Sequence, residues 1–492
     1  PLTNTGYVRR YVRDRCFEHR GRYMDLIDGL TMTPDAYLQM EYAFAGGAVG
    51  PNIKYVREVC ENVHSYDIKS SYPYVMCACY FPMGYFTPVM KVGVQGLEAL
   101  VTNNCAQFTL EVFSLWPKTN YCFPISESKC KEVVGARTAS GRIISAAYIK
   151  INITELDWLT IKEFYDLDSA DDVRISRLRI APRGYLPEPI VRSVLKFFYD
   201  KTTLDGVKGK EAEYMISKNM LNSVYGMMVE RVVRNEILFH EGFSKGRKDY
   251  IKQVVEYNEK RNRFLYYPWG VWVTAHARRR LYEGIGAVGD DYRYCDTDCV
   301  KFVGDHQDYF AAVNVAARNE MLKTARRLHL KPEQVIPCDP DGNRKCLGVW
   351  EHEAEYRRFK TIGAKRYLVD YSWTSKDGNM PEGSLELTVA GSNKKGTLEY
   401  MKKHASRLAV DVFDIFDDKL VIPAEYAKRT VAKFQDAERS GWITDYTGKR
   451  RYYCSPSGVN ITPTSYSFSI TDEMLDAMAW LLNDGHYTES EI

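Results

Sequence analysis

Met474, Leu475, Met478, Leu481 and Leu482 recur at helical spacing near the carboxyl end and fall on one stripe. Thr471 before them and Gly485 after them supply a cap and a stop, so the pattern predicts an amphipathic helix. A second helical pattern, from Ile190 to Met228, breaks at Gly209 and predicts two helices, the second opening after that glycine. Apolar residues between Val63 and Ile68 fit a strand, closed by Tyr72-Pro73, because proline cannot donate to a sheet ladder. Around Arg293 to Val303 the run YRYCDTDCVKFV reads as strand, turn, strand. Residues 81–182 mix short apolar runs with turn signals. Residues 229–265 are charged and aromatic, like a hairpin excursion. No internal repeat or low-complexity tract is present.

At 492 residues the chain is long enough for three or more packed units. Hydrophobic content of 45% and charged content of 27% exclude a disordered chain. The first 30 residues carry Arg throughout, and no apolar run reaches the ~18 residues a membrane helix needs. A soluble, cytoplasmic protein is expected (host-cell cytoplasm for a bacteriophage product). The start at Pro1 rather than Met suggests a piece of a longer protein. The 12 cysteines form no C-x-x-C pair, so zinc is not expected and reduced, buried thiols are.

Net charge is only +3, from 67 basic and 64 acidic residues. A nucleic-acid binder with that balance must segregate its charges. Arg9-Arg10, Arg278-Arg279-Arg280, Arg357-Arg358 with Lys360, and Lys449-Arg450-Arg451 are the clusters on offer. Each alone is more often a solvated face.

Three segments carry chemistry. In Tyr66-Asp67-Ile68-Lys69-Ser70-Ser71-Tyr72-Pro73, Asp67 ends an apolar strand, where a carboxylate can hold a metal at a sheet edge. In Tyr294-Cys295-Asp296-Thr297-Asp298, residues two apart on an extended segment share a face. Asp296 and Asp298 would then present like charges together, a cost that a divalent cation removes. With Asp67 they make a candidate site for two ions about 3.5–4 Å apart, as in phosphoryl transfer. In Lys218-Asn219-Met220-Leu221-Asn222-Ser223-Val224-Tyr225-Gly226, Lys218, Asn222 and Tyr225 line one helical stripe. That stripe offers an ammonium, an amide and a ring, and Gly226 leaves room beside them.

D-x-x-S-x-Y-P, K-x-x-x-N-S-x-Y-G and Y-C-D-T-D, in this order, resemble motifs A, B and C of family B DNA polymerases, most closely the protein-primed branch of the phi29-like bacteriophages. The long intervals from Asp67 to Lys218 and from Gly226 to Asp296 match that branch's two insertions. Phe44-Ala45-Gly46-Gly47 resembles its Y-x-G-G template segment, Thr274-Ala275-His276-Ala277-Arg278 its T-x-x-A-R primer-template motif, and Lys365-Arg366-Tyr367 its K-x-Y motif. Lys201-Thr202-Thr203 resembles the additional phosphate-binding lysine. Three positions depart from the pattern: Ser71 for Leu, Cys299 for Ser, and Phe44 for Tyr.

The resemblance implies an α+β right-hand polymerase fold. Its expected parts are palm at 1–80 and 266–392, a first insertion at 81–188, fingers at 189–228 and a second insertion at 229–265. A thumb at 393–471 and a C-terminal helix at 472–492 complete it. It implies two Mg²⁺ ions, with Mn²⁺ as a substitute, held by Asp67, Asp298 and the Ile68 carbonyl, and Asp296 of second rank. Ser70, Ser71, Tyr72, Lys201, Lys218, Asn222 and Tyr225 would meet the nucleotide, with Tyr72 under the deoxyribose. Phe44, Gly46, Gly47, Thr274, Arg278, Lys365 and Tyr367 would meet DNA. Lys365 and Tyr367, two apart on a strand, are expected to share a face. Implied partners are a DNA primer-template and deoxyribonucleoside triphosphates; a terminal-protein primer, and an exonuclease domain separate or removed, stay open. Residues 1–66 offer no evident set of exonuclease carboxylates. A primer-independent polymerase and an inactive DNA-binding scaffold are the alternatives. Asp411, Asp414, Asp417 and Asp418 are expected to be a solvated helical face rather than a metal site.

Overall fold

The computed structural model describes residues 3–90, 92–167, 172–239, 243–247, 249–372, 381–434, 437–444, 450–456 and 459–482. Gly485, the expected helix stop, and Lys449 lie outside the described residues.

Helix α1 (Asn4–Cys16) opens the chain and helix α2 (Pro34–Ala43) follows, each capped by a threonine whose hydroxyl accepts a backbone N–H. Strands β1 (Val49–Pro51) and β2 (Val59–Ile68) lead into α3 (Ser71–Ala78). Helices α4 (Glu188–Thr203) and α5 (Glu211–Ser223) come later. Between them Gly206 and Gly209 adopt φ of 72° and 80°, which a glycine tolerates without strain. Then come α6 (Tyr250–Asn258), the long α7 (Tyr267–Val288), and the strand pair β3 (Tyr292–Asp296) and β4 (Cys299–Phe302). Strands β5 (Trp350–Gly363), β6 (Arg366–Tyr371) and β7 (Leu385–Val389) follow, and α8 (Asp472–Leu482) closes the described chain.

The seven strands form one antiparallel sheet in the order β1-β3-β4-β2-β5-β6-β7. Because β4 lies beside β2, Cys299 pairs with Asp67, and the Asp296–Asp298 turn meets the end of the strand that carries Asp67. Residues 81–184 contribute a second, eight-stranded sheet. Helix α7 is buried along most of its length and connects the two halves.

Within 1–80, residues 49–78 build the central sheet and its first helix, whereas α1 and α2 pack elsewhere. Helix α1 lies on α4 and α5, with the Tyr11 and Phe197 rings 5.1 Å apart. Helix α2 lies on the second sheet, where Asp35 pairs with Arg177 and Arg179. Two other early acids also find cations: Asp14 meets Arg13 at 3.0 Å and Glu18 meets Arg15 at 2.7 Å.

Within the hairpin excursion expected at 229–265, strand Asn235–Phe239 pairs with Phe243–Arg247. Helix α6 follows it inside the same excursion, buries Val254 and is part of the core. In α8, Met474 and Leu481 are buried, yet Leu482 is 61% exposed and Trp480 takes the inward place. Of the aspartates at 411–418, Asp411 and Asp414 are exposed as expected, but the helix there covers only Val412–Ile415, and Asp411 and Asp417 are also bound by partners. Asp411 accepts from the Phe413 N–H at 2.8 Å and pairs with Arg358 at 3.0 Å, and Asp417 pairs with Arg57 at 2.7 Å.

Candidate active site

Asp67 and Asp298 are joined through the backbone: the Ile68 N–H donates to the Asp298 carbonyl at 2.8 Å. Ile68 itself is fully buried, which anchors the end of β2 under the two side chains. Burial, then the Asp298 and Glu353 carboxylates, push the Asp67 carboxyl up to about 8. Burial and the neighbouring Asp296 push Asp298 up to about 6. Two half-buried carboxylates held at such values favour protonation or a divalent cation over two bare charges.

Asp296 and Asp298 come together by a turn and not by strand alternation. Thr297 takes φ 62°, and the Asp298 N–H donates to the Asp296 carbonyl at 2.7 Å, a three-residue turn that an extended reading misses. Asp296 is neutralised by Lys365, whose Nζ donates to Oδ1 at 2.5 Å. Lys365 is itself in a left-handed turn, φ 57°, with its N–H on the Tyr294 hydroxyl at 2.8 Å. It therefore precedes β6, and the expectation that it shares a strand face with Tyr367 is corrected. The Tyr367 ring packs edge-on against Tyr294 at 5.1 Å.

The Thr297 turn needs Gly47. A Cβ there would stand 2.8 Å from Thr297 Cγ2, so only glycine lets the 44–47 segment approach so closely. The Thr297 N–H donates to the Ala48 carbonyl at 2.7 Å. Gly46 beside it is exposed, with nothing within 4 Å of a built Cβ. Phe44 is half-buried, and its ring lies 5.8 Å from Lys129 Nζ. Arg278, only 8% exposed at its side chain, donates to the Gly46 carbonyl at 3.2 Å, contacts the Ala45 carbonyl, and pairs with Asp157 at 2.7 Å. Thr274 is buried as well and bonds the Val271 carbonyl at 3.0 Å. Arg278 therefore holds the 44–47 segment from within, whereas Thr274 is bonded inside its own helix. A cleft of about 210 Å³ opens beside them, lined by Tyr42, Gly46, Lys129, Arg142, Asn152 and Arg278 among others.

On the other side of the carboxylates, the Tyr72 and Tyr225 rings meet at 4.5 Å and 42°. Burial, then the Asp298 charge, push the Tyr72 hydroxyl up. Ser70 has φ 50° and starts α3, while Ser71 is buried with its hydroxyl unbonded. Lys218 is half-buried, 5.8 Å from the centre of the Tyr214 ring, and Asn222 is exposed on the same helix. Tyr225 lies just past the end of α5. Burial and the charges of Lys69 and Lys218 hold the Lys201 ammonium below its usual value. These three lysines thus form a cation cluster fit for a polyphosphate.

Four of the groups here escape the motif reading. Lys69 donates to Glu351 at 2.9 Å, and Glu351 is the cross-strand partner of Asp67. Glu353 adds negative charge near Asp67. Lys301, 3% exposed, sits beneath with its Nζ 2.7 Å from Ser65 Oγ and 3.2 Å from the Tyr356 hydroxyl. A lysine two residues past Cys299 on a short buried strand was the legible signal, since such lysines are rarely buried without a partner.

The raised carboxyls make stability depend on pH. Asp67, at 3.8 unperturbed and about 8 here, holds its proton more tightly in the folded chain than in the unfolded one. Stability therefore falls as pH rises from about 4 to about 8. Metal-free protein is expected to melt lower at pH 8 than at pH 6, and Mg²⁺ should raise Tm more at pH 8. Asp67→Asn should flatten the slope. A variant with the wild-type slope would contradict the shift.

No family model matches the chain. The DNA polymerase of Bacillus phage Nf is 24% identical over 352 residues, covering 70% of this chain and 52% of that protein. The DNA polymerase of Bacillus phage phi29 is 24% identical over 355 residues, with the same coverage. The chain thus spans about half the length of the curated relatives it matches. Among solved structures, phi29 DNA polymerase complexed with single-stranded DNA aligns with TM-score 0.62 at 18% identity, over 95% of this chain and 68% of that one. Its complex with primer-template DNA and incoming nucleotides aligns with TM-score 0.60 at 18% identity, over 96% and 68%. The α+β right-hand architecture expected from the motifs is the fold of this chain. No helix among the described residues is long and apolar enough to cross a membrane.

Proposed function

We propose that the chain is a phi29-like member of the protein-primed family B DNA polymerases and that it adds deoxyribonucleotides to a primer 3′-hydroxyl under the direction of a DNA template. One observation carries the reading: Asp67 and Asp298 are locked together by the Ile68–Asp298 backbone bond, with carboxyls raised to about 8 and 6 beside the cluster of Lys69, Lys201 and Lys218.

In the proposed reaction Asp67, Asp298 and the Ile68 carbonyl would hold two divalent ions, Mg²⁺ in the first instance and Mn²⁺ as a substitute. The donor set is all oxygen, which suits those ions. When bound, they lower the pKa of the attacking hydroxyl and neutralise the leaving pyrophosphate. Lys201 and Lys218 take the triphosphate, and Lys69 joins them when it leaves Glu351. Tyr72, backed by Tyr225, lies under the sugar. Asp296, paired with Lys365, tunes the site from behind. Lys365 and Tyr367 lie toward the primer end. The 44–47 segment and its cleft, lined in part by Lys129, Arg142 and Arg278, take the template, with Arg278 bracing the segment.

The division into palm (1–80 and 266–392), fingers (189–228), thumb (393–471) and insertions (81–188 and 229–265) belongs to the same proposal, as do protein priming and strand displacement. A labelled primer annealed to a longer template should lengthen with Mg²⁺ and nucleotides. Tight binding without any lengthening would mark a scaffold instead.

The hairpin of Asn235–Phe239 and Phe243–Arg247 is proposed to close around DNA, since its sequence mixes Arg, Lys and Phe. Helix α6 belongs to the core and must be left in place. Replacing 235–247 with a short Gly-Ser turn should preserve single additions and shorten products on long templates several-fold. Unchanged product length, measured with a trap for released enzyme, would contradict this.

A further inference from the structure

On the face of the central sheet turned away from Asp67, two imidazoles and a carboxylate converge. His64 lies on β2, and His352 and Glu355 lie on β5. The register pairs His64 with Glu355 and Tyr66 with His352, so cross-strand and diagonal neighbours bring the three side chains together. One ligand atom from each lies within 4.8 Å of the other two, and all three residues are half-buried.

The spacing separates this trio from an ordinary ion pair. His64 Nδ1 stands 3.8 Å from Glu355 Oε2, too far for a hydrogen bond. Near by, His306 Nε2 makes the direct contact with Asp291 at 2.9 Å. Metal–nitrogen and metal–oxygen bonds of about 2.0–2.2 Å put neighbouring ligands of a tetrahedral ion roughly 3.3–3.6 Å apart. Small rotamer changes would close the trio onto an ion. The Tyr66 ring flanks it, 4.9 Å from His352, the two imidazole rings lie 5.6 Å apart, and Phe302 lies 5.9 Å from His64. Such walls lower the local dielectric and favour a neutralised site.

We propose that His64, His352 and Glu355 bind a divalent transition-metal ion of the Zn²⁺ class, with water in the fourth position. Two imidazoles select Zn²⁺, Co²⁺, Ni²⁺ or Cu²⁺ over Mg²⁺ and Ca²⁺, which take oxygen ligands. The site is thus chemically distinct from the all-oxygen set at Asp67 and Asp298. Its ion would staple β2 to β5 directly behind the reacting carboxylates, because Asp67 and Glu351 are paired across those same strands. The proposal does not depend on the chain being a polymerase.

The test is a Co²⁺ titration of the whole chain in saturating Mg²⁺, followed by visible absorption, with Zn²⁺ as competitor. One equivalent of Co²⁺ should give a tetrahedral d–d band that Zn²⁺ abolishes. His64→Gln and His352→Gln should each weaken the affinity by at least ~100-fold, with circular dichroism reporting that they fold. Glu355→Gln, at a half-buried position, gives the same reading if a histidine variant does not fold. Asp67→Asn should leave the band unchanged. No band, a band that survives the ligand variants, or a band lost in Asp67→Asn would each overturn the site.

Discussion

Asp298→Ala is expected to lower the rate of nucleotide addition by ~10³-fold or more while primer-template affinity stays within about threefold. A carboxylate that holds catalytic ions supplies several kcal/mol at the reacting centre, and each 1.4 kcal/mol is about tenfold in rate. Affinity for DNA comes instead from phosphate contacts spread over the molecule. The variant should also be no less stable than the wild type. Removing Asp298 takes away a half-buried charge whose burial, and then the neighbouring Asp296, already push its carboxyl up to about 6, and functional sites commonly trade stability for such charges. Extension rate, gel-shift affinity and Tm on one preparation separate these effects. Activity above a few per cent of wild type would remove Asp298 from the chemistry, and a large fall in Tm would make the activity loss uninformative about catalysis and contradict the charge argument.

Tyr72→Val should raise the use of ribonucleotides relative to deoxyribonucleotides by about 10²-fold. The ring packs on Tyr225 at 4.5 Å and lies near enough to Asp298 for that charge to raise its hydroxyl, so on the proposed reading it fills the space a 2′-hydroxyl would need. Discrimination of that kind acts through the ratio of kcat/KM values, since the excluded group misplaces the whole sugar in the transition state. Tyr72→Phe keeps the ring and should keep the selectivity. If Val and Tyr give the same ratio, Tyr72 is packing alone.

The motif spacings were legible because they follow element geometry: a strand end for Asp67, a helix stripe for Lys218 and Asn222, a hairpin for Asp296 and Asp298. The hidden parts depend on backbone turns and on chain segments far apart in sequence. Thr297 and Lys365 both adopt left-handed φ, which side-chain periodicity does not encode. Gly47 is required by contact with Thr297, some 250 residues away in the chain, and Arg278 is turned inward by Asp157 and the 45–46 carbonyls. Lys301 and the pairing of Lys69 with Glu351 needed the order of strands β4, β2 and β5. Helix α1 docks on α4 and α5 through rings such as Tyr11 and Phe197, whose pairing no local pattern announces. The acids at 411–418 followed helical spacing, but the helix there spans only Val412–Ile415, so capping and ion pairing took them instead.

Template direction is the central claim, and single additions on four primed templates that differ only in the first unpaired base test it most directly. With Mg²⁺ and each nucleotide supplied alone, the chain should add the complement of the templating base to every primer, with mismatched additions slower by orders of magnitude. Addition of the same nucleotide on all four templates, or of none on any, would contradict it.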